Sequence, residues 1–106
     1  MIKFIIDSAK KVKNGRDKKD VLIKAMEEMG EVSQEMSKIT LAKYKGEVDK
    51  GKIISEIGDT IVALIDLADM IVEEGGFDTT TENILNCKIQ ASCEKWVEKY
   101  NTKKDE

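Results

Sequence analysis

KIISEIGDTIVALIDLADMIVEE, residues 52–74, decides the fold. Ile53, Ile54, Ile57, Ile61, Leu64, Ile65, Leu67, Ala68, Ile71 and Val72 recur at helical spacing and cover well over half of a helix circumference. Ser55, Asp59, Asp66, Asp69 and Glu73 fall on one narrow stripe, with Glu56 at its edge. A helix this apolar belongs at the centre, packed on several sides. Its acids then face either a thin strip of solvent or a cleft between helices. Four helices in one chain can hardly cover it, so the pattern predicts a dimer that buries the remainder.

On the N-terminal side, Asp17 is placed to cap a long helix carrying Val21, Ala25, Met29, Val32, Met36 and Ile39 on one face. Its expected end is Lys45-Gly46, and Gly51 closes the following loop. A shorter helix runs from about Ile2 to Val12, with Asn14-Gly15 as a left-handed stop. On the C-terminal side, Gly75-Gly76 ends the central helix, and Thr79 with Glu82 forms a capping box for a fourth. That helix spaces Leu85, Ile89, Ser92/Cys93, Trp96 and Tyr100 by three or four, then frays from Asn101 to Glu106.

Composition agrees with one all-α domain over residues 1–106. The chain is 41% hydrophobic and 37% charged, with no proline. At this length it can bury about 65% of its unfolded surface. A net charge of −3 argues against nucleic-acid binding. The absence of histidine removes imidazole ligation and histidine-based acid–base chemistry, leaving carboxylates, lysines or a metal. Cys87 and Cys93 lie six apart on one helix, on different sides, and predict a reduced, cytoplasmic protein. The apolar start at Ile2, Phe4, Ile5 and Ile6 is too short and too interrupted by charge for a signal or membrane segment.

Two acidic motifs stand out: E-E-M-G-E, with Glu27, Glu28 and Glu31, and E-I-G-D, with Glu56 and Asp59. They are separated by 24 residues. Each sets carboxylates one turn apart on a helix, and two such helices as antiparallel neighbours can aim four ligands at one point. Hard cations such as Mg²⁺ and Mn²⁺ prefer that ligand set. Close carboxylates repel by about 3–4 kcal/mol per pair at an effective dielectric near 20, which a cation relieves. On the second helix Glu28 borders the apolar face, Glu31 lies further round, and Glu27 is the most peripheral. Gly30 and Gly58, one inside each motif, each cost about 1 kcal/mol of helix propensity and predict a close backbone approach at both places. The plain alternative is that these acids lie on solvated faces balanced by Lys24, Lys38 and Lys52.

E-E-x-x-E followed by E-x-x-D at this distance, in the contexts LIKAMEEMGEVSQEM and ISEIGDTIVALIDLADM, resembles the MazG-like nucleotide pyrophosphohydrolases from about Val21 to Lys95. The resemblance implies a four-helix MazG-like bundle completed by dimerisation, as a homodimer or homotetramer. It also implies Mg²⁺-dependent hydrolysis of a nucleoside triphosphate to the monophosphate and pyrophosphate. Glu28, Glu31, Glu56 and Asp59 fall at the family's metal ligands, with Mn²⁺ as a possible substitute. Glu27 falls where an acid orients or activates the attacking water. Lys88 and Lys95 fall where the fourth helix supplies cations to the substrate, and Ser92 stands where asparagine is frequent. Solvated helix surface is the plain reading of both lysines. Trp96 reads as a core or interface anchor, and Asp66 and Asp69 match no motif position. Phosphoribosyl-ATP pyrophosphatase is a second reading, less favoured because S-E-I-G-D replaces its usual E-E-A-A-D. A non-catalytic helical dimerisation or regulatory module is a third.

Overall fold

The computed structural model describes residues 1–12, 16–40 and 49–105, with side chains through residue 101. All regular structure among the described residues is helical: α1 (Ile2–Lys11), α2 (Lys18–Thr40), α3 (Lys50–Glu74) and α4 (Thr81–Asp105). No helix among them is long and apolar enough to cross a membrane.

Local chemistry sets most of the boundaries. Asp17 caps α2 as expected: its Oδ1 accepts from the Asp20 amide at 2.9 Å, and Asp20 Oδ2 accepts in return from the Asp17 amide at 3.1 Å. Asp49 caps α3 by accepting from the Lys52 amide at 3.0 Å. Gly51 therefore lies in the first turn of α3 rather than closing a loop. Gly75 ends α3, and Gly76 takes φ +67°, a conformation that favours glycine. The cap of α4 is one residue later than the sequence suggests: Thr80 Oγ1 accepts from the Asn83 amide at 3.2 Å. Thr81 Oγ1 instead donates to Asp69 Oδ1 at 2.6 Å, fastening the start of α4 to α3. Backbone helix in α4 continues through Asp105, where fraying was expected. Asn14-Gly15 and Lys45-Gly46 lie outside the described residues.

α3 is central, as its apolar pattern requires, and packs most extensively on α2, then on α1, with α4 touching it only over a short stretch. α2 and α3 are antiparallel: Thr60 Oγ1 lies 3.2 Å from the Glu28 carbonyl, and Lys52 Nζ lies 3.3 Å from Glu35 Oε1. The buried face of α2 is Val21, Ala25, Glu28 and Glu35. Met29, Met36 and Ile39, expected on the core face, are substantially exposed. The reason is that Glu28 and Glu35 take that line, held by Lys24 at 2.8 Å and by Lys38 and Lys52 at 3.0 and 3.3 Å. Ile5, Ile6 and Ile65 form the small core where α1 meets α3, with Ile2 and Leu85 against it.

Much apolar surface stays uncovered. Ile54, Ile57, Ile61, Val62, Leu64 and Ile71 of α3 are 39–68% exposed, and Trp96 of α4 is 64% exposed. The accessible surface is 8443 Å² against about 5,900 Å² for a compact chain of this mass, an excess of about 2,500 Å². The radius of gyration is 17.2 Å against about 13 Å.

Candidate metal centre

Antiparallel packing of α2 on α3 brings the two acidic motifs face to face. One carboxylate oxygen each from Glu28, Glu31 and Glu56 lies within 4.8 Å of the others. Thr60 pins the helices together at this level: its hydroxyl is 2.7 Å from the Glu56 carbonyl and 3.2 Å from that of Glu28. One hydroxyl thus touches the backbone of an acid from each motif. Lengthwise slippage of the acids past one another would break this contact.

Burial is graded across the trio. Glu28 is 4% exposed, Glu56 is half-buried, and Glu31 is open to solvent. Glu28 Oε1 takes the Lys24 ammonium at 2.8 Å, but its Oε2 and Glu56 Oε2 are buried with no hydrogen-bond donor. A buried carboxylate oxygen without a donor is costly and calls for a proton or a cation. The Glu56 carboxyl is held above the ordinary glutamate range, first by its contact with the Glu31 carboxylate, then by loss of water and the charges of Glu31, Glu28 and Asp59. Lys24 is raised by its hydrogen bond and charge pairing with Glu28, with Glu27 and Glu31 adding to it. Three convergent carboxylates and two orphaned oxygens fit a hard divalent cation.

Not every expected residue joins the cluster. Asp59 lies outside the three-way set, although its charge acts on Glu56. Its side chain, one methylene shorter than glutamate, instead lines an adjoining cavity with Glu28 and Lys24. Glu27 is exposed beside the trio. Lys88 and Lys95 are exposed on α4, and neither lines the cavity next to the acids. The glycine expectation fails: among the described residues, nothing beyond the glycine's own helical turn lies within 4 Å of a side chain added at Gly30 or Gly58. Asp66 and Asp69 have structural partners, Arg16 and Thr81 respectively.

Arg16 and Thr60 escape a motif-based reading. Arg16 reaches 50 residues along the chain to Asp66 at 2.8 Å. The available signal is its being the only arginine in a lysine-rich chain, since a guanidinium fork holds a carboxylate in a way an ammonium cannot. Thr60 gives no signal, because a threonine in a helix is unremarked until a second backbone lies beside it.

No family model matches the chain, and neither a curated protein nor a solved structure does. The functional reading therefore rests on the residues and their geometry.

Proposed function

We propose that the chain is a divalent-metal-dependent nucleotide pyrophosphohydrolase that cleaves nucleoside triphosphates between the α and β phosphorus. The observation that carries this reading is the convergence of Glu28, Glu31 and Glu56 within 4.8 Å, with two buried oxygens lacking donors. Glu28, Glu31 and Glu56 would hold Mg²⁺ or Mn²⁺, with Asp59 joining from the cavity side. Such an ion supplies Lewis acidity toward phosphate oxygens and a water of lowered pKa.

The chain's own groups divide the remaining work. Glu27, solvent-exposed beside the ligands, orients the attacking water and takes its proton. Lys24 is the cation nearest the acids, and its Nζ can turn from Glu28 toward a phosphate. It takes the role that the resemblance implies for Lys88 and Lys95. The exposed apolar rows of α3 and α4 favour a homodimer or a larger homo-oligomer as the working species. Exposed, unbridged Cys87 and Cys93 favour a reducing cytoplasmic setting.

Incubation of a nucleoside triphosphate panel with Mg²⁺, followed by chromatography, tests the reading. The expected products are the monophosphate and pyrophosphate. A diphosphate with orthophosphate, or no hydrolysis at all, overturns it. Glu27→Gln is expected to lower turnover by about 10²–10⁴ while sparing metal affinity, whereas Glu56→Gln loses both.

A further inference from the structure

The two buried glutamates of α2 meet α3 differently. Glu35 is closed by Lys38 and by Lys52, the latter from α3. Glu28, 4% exposed and two turns earlier, has Lys24 alone and keeps Oε2 without a donor. Opposite it α3 sets another acid, Glu56, whose own Oε2 is also buried and unpaired. What joins the helices at this level is neutral: the half-buried Thr60 hydroxyl, 2.7 Å from the Glu56 carbonyl and 3.2 Å from the Glu28 carbonyl. One turn on, in the same direction along the antiparallel pair, Ala25 and Ala63 are both buried, and such small side chains leave the backbones room to approach.

The identity of residue 60 therefore bears on how far apart the two motifs stand. A hydroxyl offers its proton to a carbonyl oxygen, whereas a methyl in its place keeps about 3.3–3.6 Å away. Exchanging one for the other moves α2 off α3 by a few tenths of an ångström. Divalent ions feel such a change unequally. Mg²⁺ holds its oxygens at about 2.0–2.1 Å in near-ideal octahedral order, so adjacent ligand oxygens stand about 3 Å apart. Ca²⁺ accepts about 2.3–2.6 Å and looser, larger ligand sets. The trio of Glu28, Glu31 and Glu56 already spans up to 4.8 Å and closes to take a small ion, so any widening works against Mg²⁺ first.

Resting on the metal reading above, we infer that Thr60 is a positioning residue: by fixing the separation of α2 and α3 at Glu28 and Glu56, it makes the centre select Mg²⁺ over the larger Ca²⁺.

Calorimetric titration of the full chain with Mg²⁺ and with Ca²⁺, each alone, tests this. The native protein is expected to bind Mg²⁺ the more tightly. Thr60→Val should weaken Mg²⁺ binding by about 10–100-fold and Ca²⁺ binding by less than about threefold, so that the preference is lost or reversed. Thr60→Ser, which keeps the hydroxyl, should retain the native ratio. Thr60→Ala, which removes the hydroxyl without adding bulk, should also lower the ratio, and it serves if the valine protein does not fold. A threonine with a structural role alone would lower both affinities alike. An unchanged Mg²⁺-to-Ca²⁺ ratio in a folded Thr60→Val or Thr60→Ala protein therefore overturns the inference and leaves the metal centre standing. So does a serine variant that behaves like the valine one, or a native protein that favours Ca²⁺. Absence of binding of either ion by the native protein overturns the metal reading as well.

Discussion

Glu31 and Glu56 meet across the α2–α3 contact, and the Glu56 carboxyl is held above the ordinary glutamate range first by its contact with Glu31, with the charges of Glu31, Glu28 and Asp59 adding to it. A divalent cation is therefore expected to stabilise the folded state, by about 2.7 kcal/mol at a hundredfold excess over Kd. For a chain of this size that is a Tm rise of about 4–8 °C per kcal/mol. Glu31→Gln and Asp59→Asn should each abolish the rise while leaving the metal-free protein at least as stable, because repulsion is removed. Scanning calorimetry with and without Mn²⁺ measures both. An undiminished metal shift in the two variants would show that the ion, if bound, sits elsewhere.

At the level of the helices, α2 depends on acids buried against lysines, and this gives its contact with α3 a distinctive pH response. Glu35 is held below the ordinary glutamate range, first by its hydrogen bond to Lys38 and also by Lys52. A depressed carboxyl contributes stability above its unfolded value, about 4.3, and loses it as pH falls through the folded value. Glu35→Gln should therefore flatten the acid limb of the stability curve below about pH 5, as followed by urea unfolding at several pH values. The α3–α4 junction depends on the buried Thr81–Asp69 hydrogen bond. Thr81→Val leaves that carboxylate without its partner and is expected to cost about 1–3 kcal/mol, seen as a lower urea midpoint at unchanged slope. The same two contacts mark how far the sequence could be read. Asp17 and Gly76 were legible because a cap and a left-handed stop depend on neighbours along the chain. Thr80 was missed by one position because three consecutive threonines each offer a hydroxyl, and the choice among them is made by Asp69 on another helix. The inward face of α2 was misassigned toward Met29, Met36 and Ile39, since hydrophobic periodicity gives no credit to a buried Glu28 or Glu35. The acidic trio was legible because two short motifs specify it. The Arg16–Asp66 pair was not, because only the fold makes them neighbours.

For the whole molecule, the excess of about 2,500 Å² of surface and the open apolar rows on α3 and α4 are consistent with a chain that completes its core in company. Sedimentation equilibrium at micromolar concentration is expected to give at least twice 11.9 kDa, and Ile54→Glu should shift the population toward the single chain. A well-folded native species near 11.9 kDa would refute the assembly. Trp96, the sole tryptophan, lies 64% exposed on the sparsely packed α4, with Tyr100 edge-on at 6.0 Å. Its indole is thus a built-in optical reporter. Emission should be red-shifted and readily quenched by iodide when the helix is bare, and should move to shorter wavelength when another surface closes over it. A dilution series read in a fluorimeter would follow that change without any label.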